Sequence, residues 1–74
     1  MLEGKSARLG EVEFFKGDRI MMTRNSRVVG VKNGQLGTVQ RVNSMLGSIT
    51  VVMDSGAMVA FSLNDYPHVE LAMR

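Results

Sequence analysis

The chain has 74 residues, no cysteine and one histidine, which is the length of a single small domain with a modest core. These counts exclude a disulfide framework and a metal site built from thiolates or several histidines. No apolar run approaches the roughly 20 residues of a membrane span, and the N-terminus lacks the apolar segment of a signal peptide. We therefore expect a cytoplasmic protein with no membrane partner, metal or cofactor.

A modest net charge of +2 hides a one-sided distribution of charge along the chain. The stretch from residue 19 to residue 53 has no carboxylate and five cations, Arg19, Arg24, Arg27, Lys32 and Arg41, whereas the two flanks sum to −1 and −2. A concentrated positive field attracts polyanions, so nucleic acid is the leading partner class. The alternative is that these are ordinary solvated surface charges.

The chain begins with a segment of weak pattern. Residues 1–13 show no sustained apolar period and predict a linker or another peripheral segment, such as a short frayed helix. Phe14 and Phe15 follow as a large apolar pair, and we expect one of the two rings to fill the core. The predicted domain therefore spans residues 14–74.

Turn signals then surround the first predicted strand. A turn at residues 16–18 leads into a strand over residues 19–23, in which Met21 and Met22 must face opposite sides, so that one of them is exposed. The polar loop after it ends in Asn33-Gly34, a dipeptide that readily supplies the positive φ values of a tight turn. We expect Gly37 to mark a bulge or a close approach of two backbones.

Alternation between further turn signals predicts three more strands, over residues 38–42, 49–53 and 58–62, and a last extended segment over residues 68–72. The expected core contains Ile20, Val39, Val51, Val59 and Phe61. Most of the seven methionines are interpreted as core residues that fill gaps. The sequence thus predicts an all-β fold, a small barrel of about five short antiparallel strands.

No set of residues in the sequence suggests catalysis. Six serines would share His68 as their only histidine base, and Asp18, Asp54 and Asp65 lie at turn positions rather than as a paired acid and base. The Gly-Lys-Ser or Gly-Lys-Thr of a phosphate-binding loop is absent. We expect this chain to have no catalytic residues and not to hydrolyse ATP.

An ordered set of residues does suggest a family. It comprises residues 15–20 (Phe-Lys-Gly-Asp-Arg-Ile), Asn25, residues 30–34 (Gly-Val-Lys-Asn-Gly), residues 37–39 (Gly-Thr-Val), Val59, Phe61, Tyr66 and His68. The set resembles the SH3-like β-barrel inserted in the second motor domain of RecD-like superfamily 1 DNA helicases, above all TraA-type conjugative transfer relaxase-helicases. The resemblance covers about residues 14–73. It implies an SH3-like barrel excised from a larger plasmid-transfer helicase that carries the ATPase and a relaxase domain.

This resemblance implies a domain that helps hold single-stranded DNA beside the motor domains of the parent helicase during unwinding. The expected contacts come from cations that neutralise phosphates and amides that hydrogen-bond to phosphate or sugar without reading sequence. They are Arg19, Arg24, Asn25, Arg27, Lys32 and Asn33, although turn geometry alone also explains Asn33. Because most of the four aromatic residues should be buried, we expect weak, sequence-independent binding.

Two other functions stay open at this point. One is an RNA-binding barrel of the KOW type, in which a Gly-Asp strand and a Lys-Gly-x-x-Gly turn precede a valine-rich strand; here Asn33 stands where a basic residue is expected. The other is a protein-interaction barrel without nucleic-acid contact, in which exposed apolar residues such as Met21 or Met45 dock on a neighbouring domain, since a fold alone does not determine a function.

Overall fold

The computed structural model describes residues 6–72, and every regular element within that range is a strand. The seven strands are β1 (Ser6–Leu9), β2 (Val12–Phe15), β3 (Arg19–Met22), β4 (Leu36–Asn43), β5 (Ser48–Met53), β6 (Met58–Ser62) and β7 (Val69–Leu71). The prediction of an all-β fold is confirmed. The five predicted strands correspond to β3 to β7, because turn signals and period-2 alternation place strands well in short antiparallel sheets.

These five strands form one antiparallel sheet in the order β6-β5-β4-β3-β7. Strands β3 to β6 follow one another as a meander, and β7 returns to pair with the free edge of β3. The long strand β4 lies at the centre of the sheet and pairs with both β3 and β5. The first residues of β4 are therefore paired on both sides, whereas residues 41–43 pair with β5 alone.

Strands β1 and β2 form a separate hairpin, which the sequence did not predict. Where a linker or frayed helix was expected, residues 6–9 pair with residues 12–15 around a turn at Gly10, whose φ is +63°. Ala7 and Phe14 are opposite each other in this hairpin, and both are buried in the core. The expectation of a linker or frayed helix is wrong for residues 6–13, because Ala7, although buried, is too small to stand out as the apolar residue of a periodic pattern. The division of the chain at residue 14 stays a prediction.

One continuous core joins the hairpin and the sheet. Ile20, Val39, Val51 and Phe61 are buried as predicted, whereas Val59 is partly buried and packs against the core from its edge. The structure also shows which residue of each neighbouring apolar pair, Phe14/Phe15 and Met21/Met22, is buried. Phe14 and Met22 are fully buried, whereas the ring of Phe15 is 38% exposed and Met21 is partly exposed.

Two irregularities shape β4. Gly37 lies against β5 so closely that a Cβ atom there would be 2.6 Å from Cγ1 of Val51 and 3.0 Å from the carbonyl oxygen of Val52, which confirms the predicted close approach of two backbones. Further along, the pairing of β4 with β5 shifts by one residue between Val39 and Arg41, which is a β-bulge with Gln40 as the extra residue. The bulge changes which side chains of β4 face outwards.

Candidate nucleic-acid interface

The cationic loop, defined here as residues 24–35, extends from the end of the sheet where β3 stops and β4 begins. Two backbone hydrogen bonds close its base: the Met22 amide donates to the Gln35 carbonyl at 2.8 Å, and the Gly34 amide donates to the Met22 carbonyl at 2.7 Å. The loop is therefore a long excursion between two directly paired strands. Its orientation is set by the sheet.

Ser26 organises the inner part of the cationic loop. Its amide donates to the Val31 carbonyl at 2.8 Å, its carbonyl accepts from the amides of Gly30 and Val31, and its hydroxyl accepts from the Val29 amide at 3.1 Å. Val31 is buried and attaches this small turn to the core. The side chain of Arg27 is thereby presented to solvent on a short, well-bonded turn.

The second half of the loop is a tight turn over residues 32–35. The Gln35 amide donates to the Lys32 carbonyl at 3.2 Å, and Gly34 has a φ of +92°, the pattern of a type II turn. The expectation of positive φ across Asn33-Gly34 is corrected, because among residues 6–72 only glycines have a positive φ. A type II turn requires a positive φ only at its third residue, which here is Gly34.

Asn25 links the two halves of the loop. Its Oδ1 atom accepts a hydrogen bond from the Asn33 amide at 2.8 Å. The side-chain oxygen of Asn25 is thus used in the fold, and its NH2 group keeps the capacity to donate to a ligand. For Asn33, the observed contact is made by the backbone, which agrees with the structural interpretation of this residue, and its side chain is exposed.

Tyr66 anchors the start of the cationic loop. Its hydroxyl donates a hydrogen bond to the Arg24 carbonyl, and its ring is buried between edge-on contacts with Phe61 and His68, at centroid distances of 5.2 and 5.4 Å. Burial raises the pKa of Tyr66. The His68 carbonyl also accepts from the Thr23 amide at 2.9 Å. This segment therefore fixes the backbone of Arg24 while leaving the Arg24 side chain exposed.

Arg19 has a different environment from the other predicted contacts. Its guanidinium donates two hydrogen bonds to the Asp54 carboxylate, at 2.6 and 2.9 Å, and a third to the Thr38 hydroxyl at 3.2 Å. This pairing lowers the pKa of Asp54 and raises the pKa of Arg19. Asp54 is the first carboxylate after the acid-free stretch, so folding compensates the charge of Arg19.

The structure thus brings five of the six predicted residues together on one loop and separates the sixth. Arg24, Arg27 and Lys32 are exposed there without a carboxylate in the loop. An open depression of about 400 Å³ is lined by Asn25, Ser26, Arg27, Gly30, Val31, Lys32 and Gln35. It is open to solvent and lined by two cations, which suits an extended anion better than a small enclosed ligand.

The structure has a second cationic depression, of about 1120 Å³, which the sequence did not predict. Phe15, Lys16 and residues 40–45 line it, and none of these residues is a carboxylate. The sequence places Arg41 in the acid-free stretch but gives no signal that assigns it to a site. The one sequence signal for this depression is that Phe15 and Lys16 are adjacent. The sequence does not show that they lie near Arg41, because that depends on how the strands pair.

Other kinds of site are not indicated in the described part of the chain. Residues 6–72 contain no group of three or more His, Cys, Asp or Glu side chains that could hold a metal ion. Within the same range, no helix has the length and apolar character needed to cross a membrane.

Comparison with known proteins identifies similar solved structures. They are unliganded Pif1 from Bacteroides sp., Bacteroides sp. Pif1 in complex with ADP-AlF4, and two coordinating Pif1 helicases in DNA unwinding at forked double-stranded DNA. Each shares 28% sequence identity with this chain and covers 77% of it with a TM-score of 0.58. No protein-family model and no curated protein matches the sequence.

The chain spans only 15% to 20% of the length of these helicase chains. The similarity therefore concerns one domain-sized part of a Pif1 helicase, and it supports a helicase-related domain. It agrees with the coarser part of the resemblance found in the sequence, a superfamily 1 helicase module.

Proposed function

We propose that this chain is a non-catalytic accessory domain of a DNA helicase that helps hold single-stranded DNA beside the motor during unwinding. The observation that supports this most directly is the exposed, carboxylate-free cationic loop, held by hydrogen bonds at the end of the sheet, in a chain similar to part of Pif1 helicases. The finer proposal, an SH3-like module of a cytoplasmic TraA-type relaxase-helicase for conjugative plasmid transfer, rests on the sequence resemblance.

The proposed contacts are electrostatic. Arg24, Arg27 and Lys32 would each neutralise a phosphate, and the amide groups of Asn25 and Asn33 would donate hydrogen bonds to phosphate or sugar, which position a strand without reading its sequence. Arg19 would contribute only to the extent that DNA competes with Asp54. Three phosphate contacts contribute about −2 to the slope of log K against log salt, at roughly 0.7 per phosphate for single strands.

In the parent protein, weak contacts of this kind would still matter. A domain tethered beside a motor meets the strand at a high effective concentration, so a low intrinsic affinity is sufficient to slow release. The ATPase would belong to the motor domains of the parent, and the isolated chain would not hydrolyse ATP or nick DNA. A pure sample with turnover above a mock preparation would contradict that part of the proposal.

The test is the salt dependence of binding to unrelated single-stranded oligonucleotides. The Arg24→Ala/Arg27→Ala protein should bind each sequence more weakly by about the same factor, and its salt slope should flatten by about one unit. Lys5→Ala/Arg8→Ala is the matched control, because it removes the same net charge outside the cationic loop and should leave the slope unchanged. Equal affinity and slope in the loop variant would exclude this surface.

The same titrations distinguish the other two functions. Tighter binding to structured RNA than to single-stranded DNA would favour an RNA-binding barrel, and absence of binding to any nucleic acid would favour a protein-interaction domain. In the parent helicase, the loop variant should reduce processivity more than single-turnover ATP hydrolysis. The reverse pattern would indicate that the loop acts on the motor and not on the strand.

A further inference from the structure

Resting on the proposed function, we propose a second contact with the same single strand: the groove between the end of β2 and the bulge of β4 binds one nucleotide, with its base stacked on Phe15 and its phosphate held by Lys16 and Arg41. This surface, called here the Phe15 groove, is lined by Phe15, Lys16 and residues 40–45. It lies outside the cationic loop and contains none of the six residues predicted from the sequence.

Phe15 supplies an aromatic surface that no other phenylalanine or tyrosine within residues 6–72 offers. The other three aromatic residues, Phe14, Phe61 and Tyr66, are at most 7% exposed, whereas Phe15 is 38% exposed. The alternation of β2 explains the difference, because Phe14 faces the core and Phe15 must then face outwards. A base has a π-face whatever its identity, so one exposed ring adds affinity without adding sequence preference.

The β-bulge explains why Arg41 reaches this groove. Simple alternation after the buried Val39 would place Arg41 on the core side of β4. Because Gln40 is an extra residue, Gln40 and Arg41 are both exposed, and Val42 is buried again. Bulges are known to re-aim side chains next to functional sites. Here the bulge converts a core position into an exposed cation.

Backbone hydrogen bonds hold the two sides of the groove together. The Gly17 amide donates to the Val39 carbonyl at 2.7 Å, and the Val39 amide donates to the Asp18 carbonyl at 2.9 Å, so the turn after β2 is attached to β4 directly before the bulge. The Asp18 carboxylate accepts from the Phe15 amide at 2.9 Å and does not line the groove. Phe15 and Lys16 are thus positioned relative to Arg41 before any ligand binds.

Charge determines how a nucleotide would lie across Phe15. Phe15 lines both the cationic groove and a smaller depression, whose other lining residues are Glu11, Val12, Glu13 and Leu71. A phosphate is attracted to Lys16 and Arg41 and repelled by Glu11, whereas Glu13 forms an ion pair with Arg8 at 3.6 Å and repels the phosphate less. Because Phe15 borders both depressions, a base stacked on it would have its phosphate on the cationic side.

The two surfaces are at opposite ends of β4. The cationic loop ends at Gln35, directly before β4 begins at Leu36, and Arg41 lies five residues further along that strand, or about 17 Å at roughly 3.3 Å per residue. A single strand that follows β4 would reach both.

The experiment uses oligo(dT) and the same oligonucleotide with one 2-aminopurine, whose fluorescence is quenched on stacking. Phe15→Leu keeps an apolar side chain but has no π-face. It should lower the affinity for oligo(dT) by about 5-fold to 150-fold and abolish the quenching of 2-aminopurine. The salt slope should stay unchanged, because no charge is removed. Lys16→Ala/Arg41→Ala should flatten the slope by about one unit. Met58→Ala, at another exposed apolar residue, should change none of these quantities.

The outcomes separate this inference from the proposed function. Phe15→Leu with parental affinity and quenching overturns the Phe15 groove, whatever the cationic-loop variant does. Effects of Phe15→Leu together with no effect of Arg24→Ala/Arg27→Ala support the groove and exclude the loop. If Phe15→Leu leaves DNA binding intact but weakens association with the isolated motor domains, the groove is a protein-docking surface and the inference fails.

Discussion

Replacing Tyr66 by phenylalanine removes one oxygen atom and leaves the ring with its contacts to Phe61 and His68. The lost hydrogen bond to the Arg24 carbonyl contributes about 0.5 to 1.5 kcal/mol. Because this hydrogen bond is only partly buried, water can replace the hydroxyl at the carbonyl, so we expect a loss of about 1 kcal/mol. Truncation to alanine would also remove the ring and cost about 3 to 5 kcal/mol.

Urea unfolding followed by circular dichroism at 25 °C measures this difference. A loss of about 1 kcal/mol corresponds to a midpoint lower by about 0.3 to 1 M urea, or to a melting temperature lower by about 4 to 8 °C. Arg24→Ala is the matched control: it keeps the carbonyl that Tyr66 uses and should change stability by less than about 0.5 kcal/mol, while weakening DNA binding. A Tyr66→Phe protein as stable as the parent would refute the anchoring role of the hydroxyl.

The Tyr66 hydroxyl also implies a dependence on pH. Burial raises the pKa of Tyr66, so the folded state holds this proton more tightly than the unfolded state does. The contribution of the Tyr66 hydroxyl to the stability of the fold is complete below the ordinary tyrosine pKa of about 10. It is lost as the pH rises through the raised pKa of Tyr66 in the folded state. The stability difference between the parent and Tyr66→Phe should therefore shrink above about pH 10. A difference that stays constant or grows would contradict this assignment.

Two further substitutions test packing and charge. Gly37→Ala places a Cβ atom 2.6 Å from Cγ1 of Val51. The overpacking costs about 1 to 3 kcal/mol, which exceeds the roughly 0.4 to 1 kcal/mol gained by restricting the unfolded chain. Urea unfolding should therefore show a net loss of stability, and a stabilised variant would contradict the close approach. Asp54→Asn frees Arg19, so single-stranded DNA should bind more tightly, with a salt slope steeper by up to about 0.7. Asp65→Asn makes the same change in net charge at an exposed turn outside both proposed surfaces, and an equal effect of both would show that only net charge matters.

The sequence by itself determined the features that depend on local chemistry. Alternating apolar residues between Gly, Asp and Asn turn signals placed β3 to β7, because a strand with one buried face must repeat every second residue. The long stretch without carboxylates identified the cationic loop, and Gly37 indicated a close approach. These signals lie within a few residues of the feature that each one predicts.

Only the tertiary structure decided the features that join distant residues. Asp54 compensates Arg19 across 35 positions, and the hydroxyl of Tyr66 fixes the Arg24 backbone across 42. Neither pair has a local signal, because each depends on which strands are neighbours in the sheet. The bulge that exposes Arg41 is likewise a property of two paired strands, since an extra residue is defined only relative to a partner. For this reason the cationic loop could be predicted from the sequence, whereas the Phe15 groove became visible only in the folded chain.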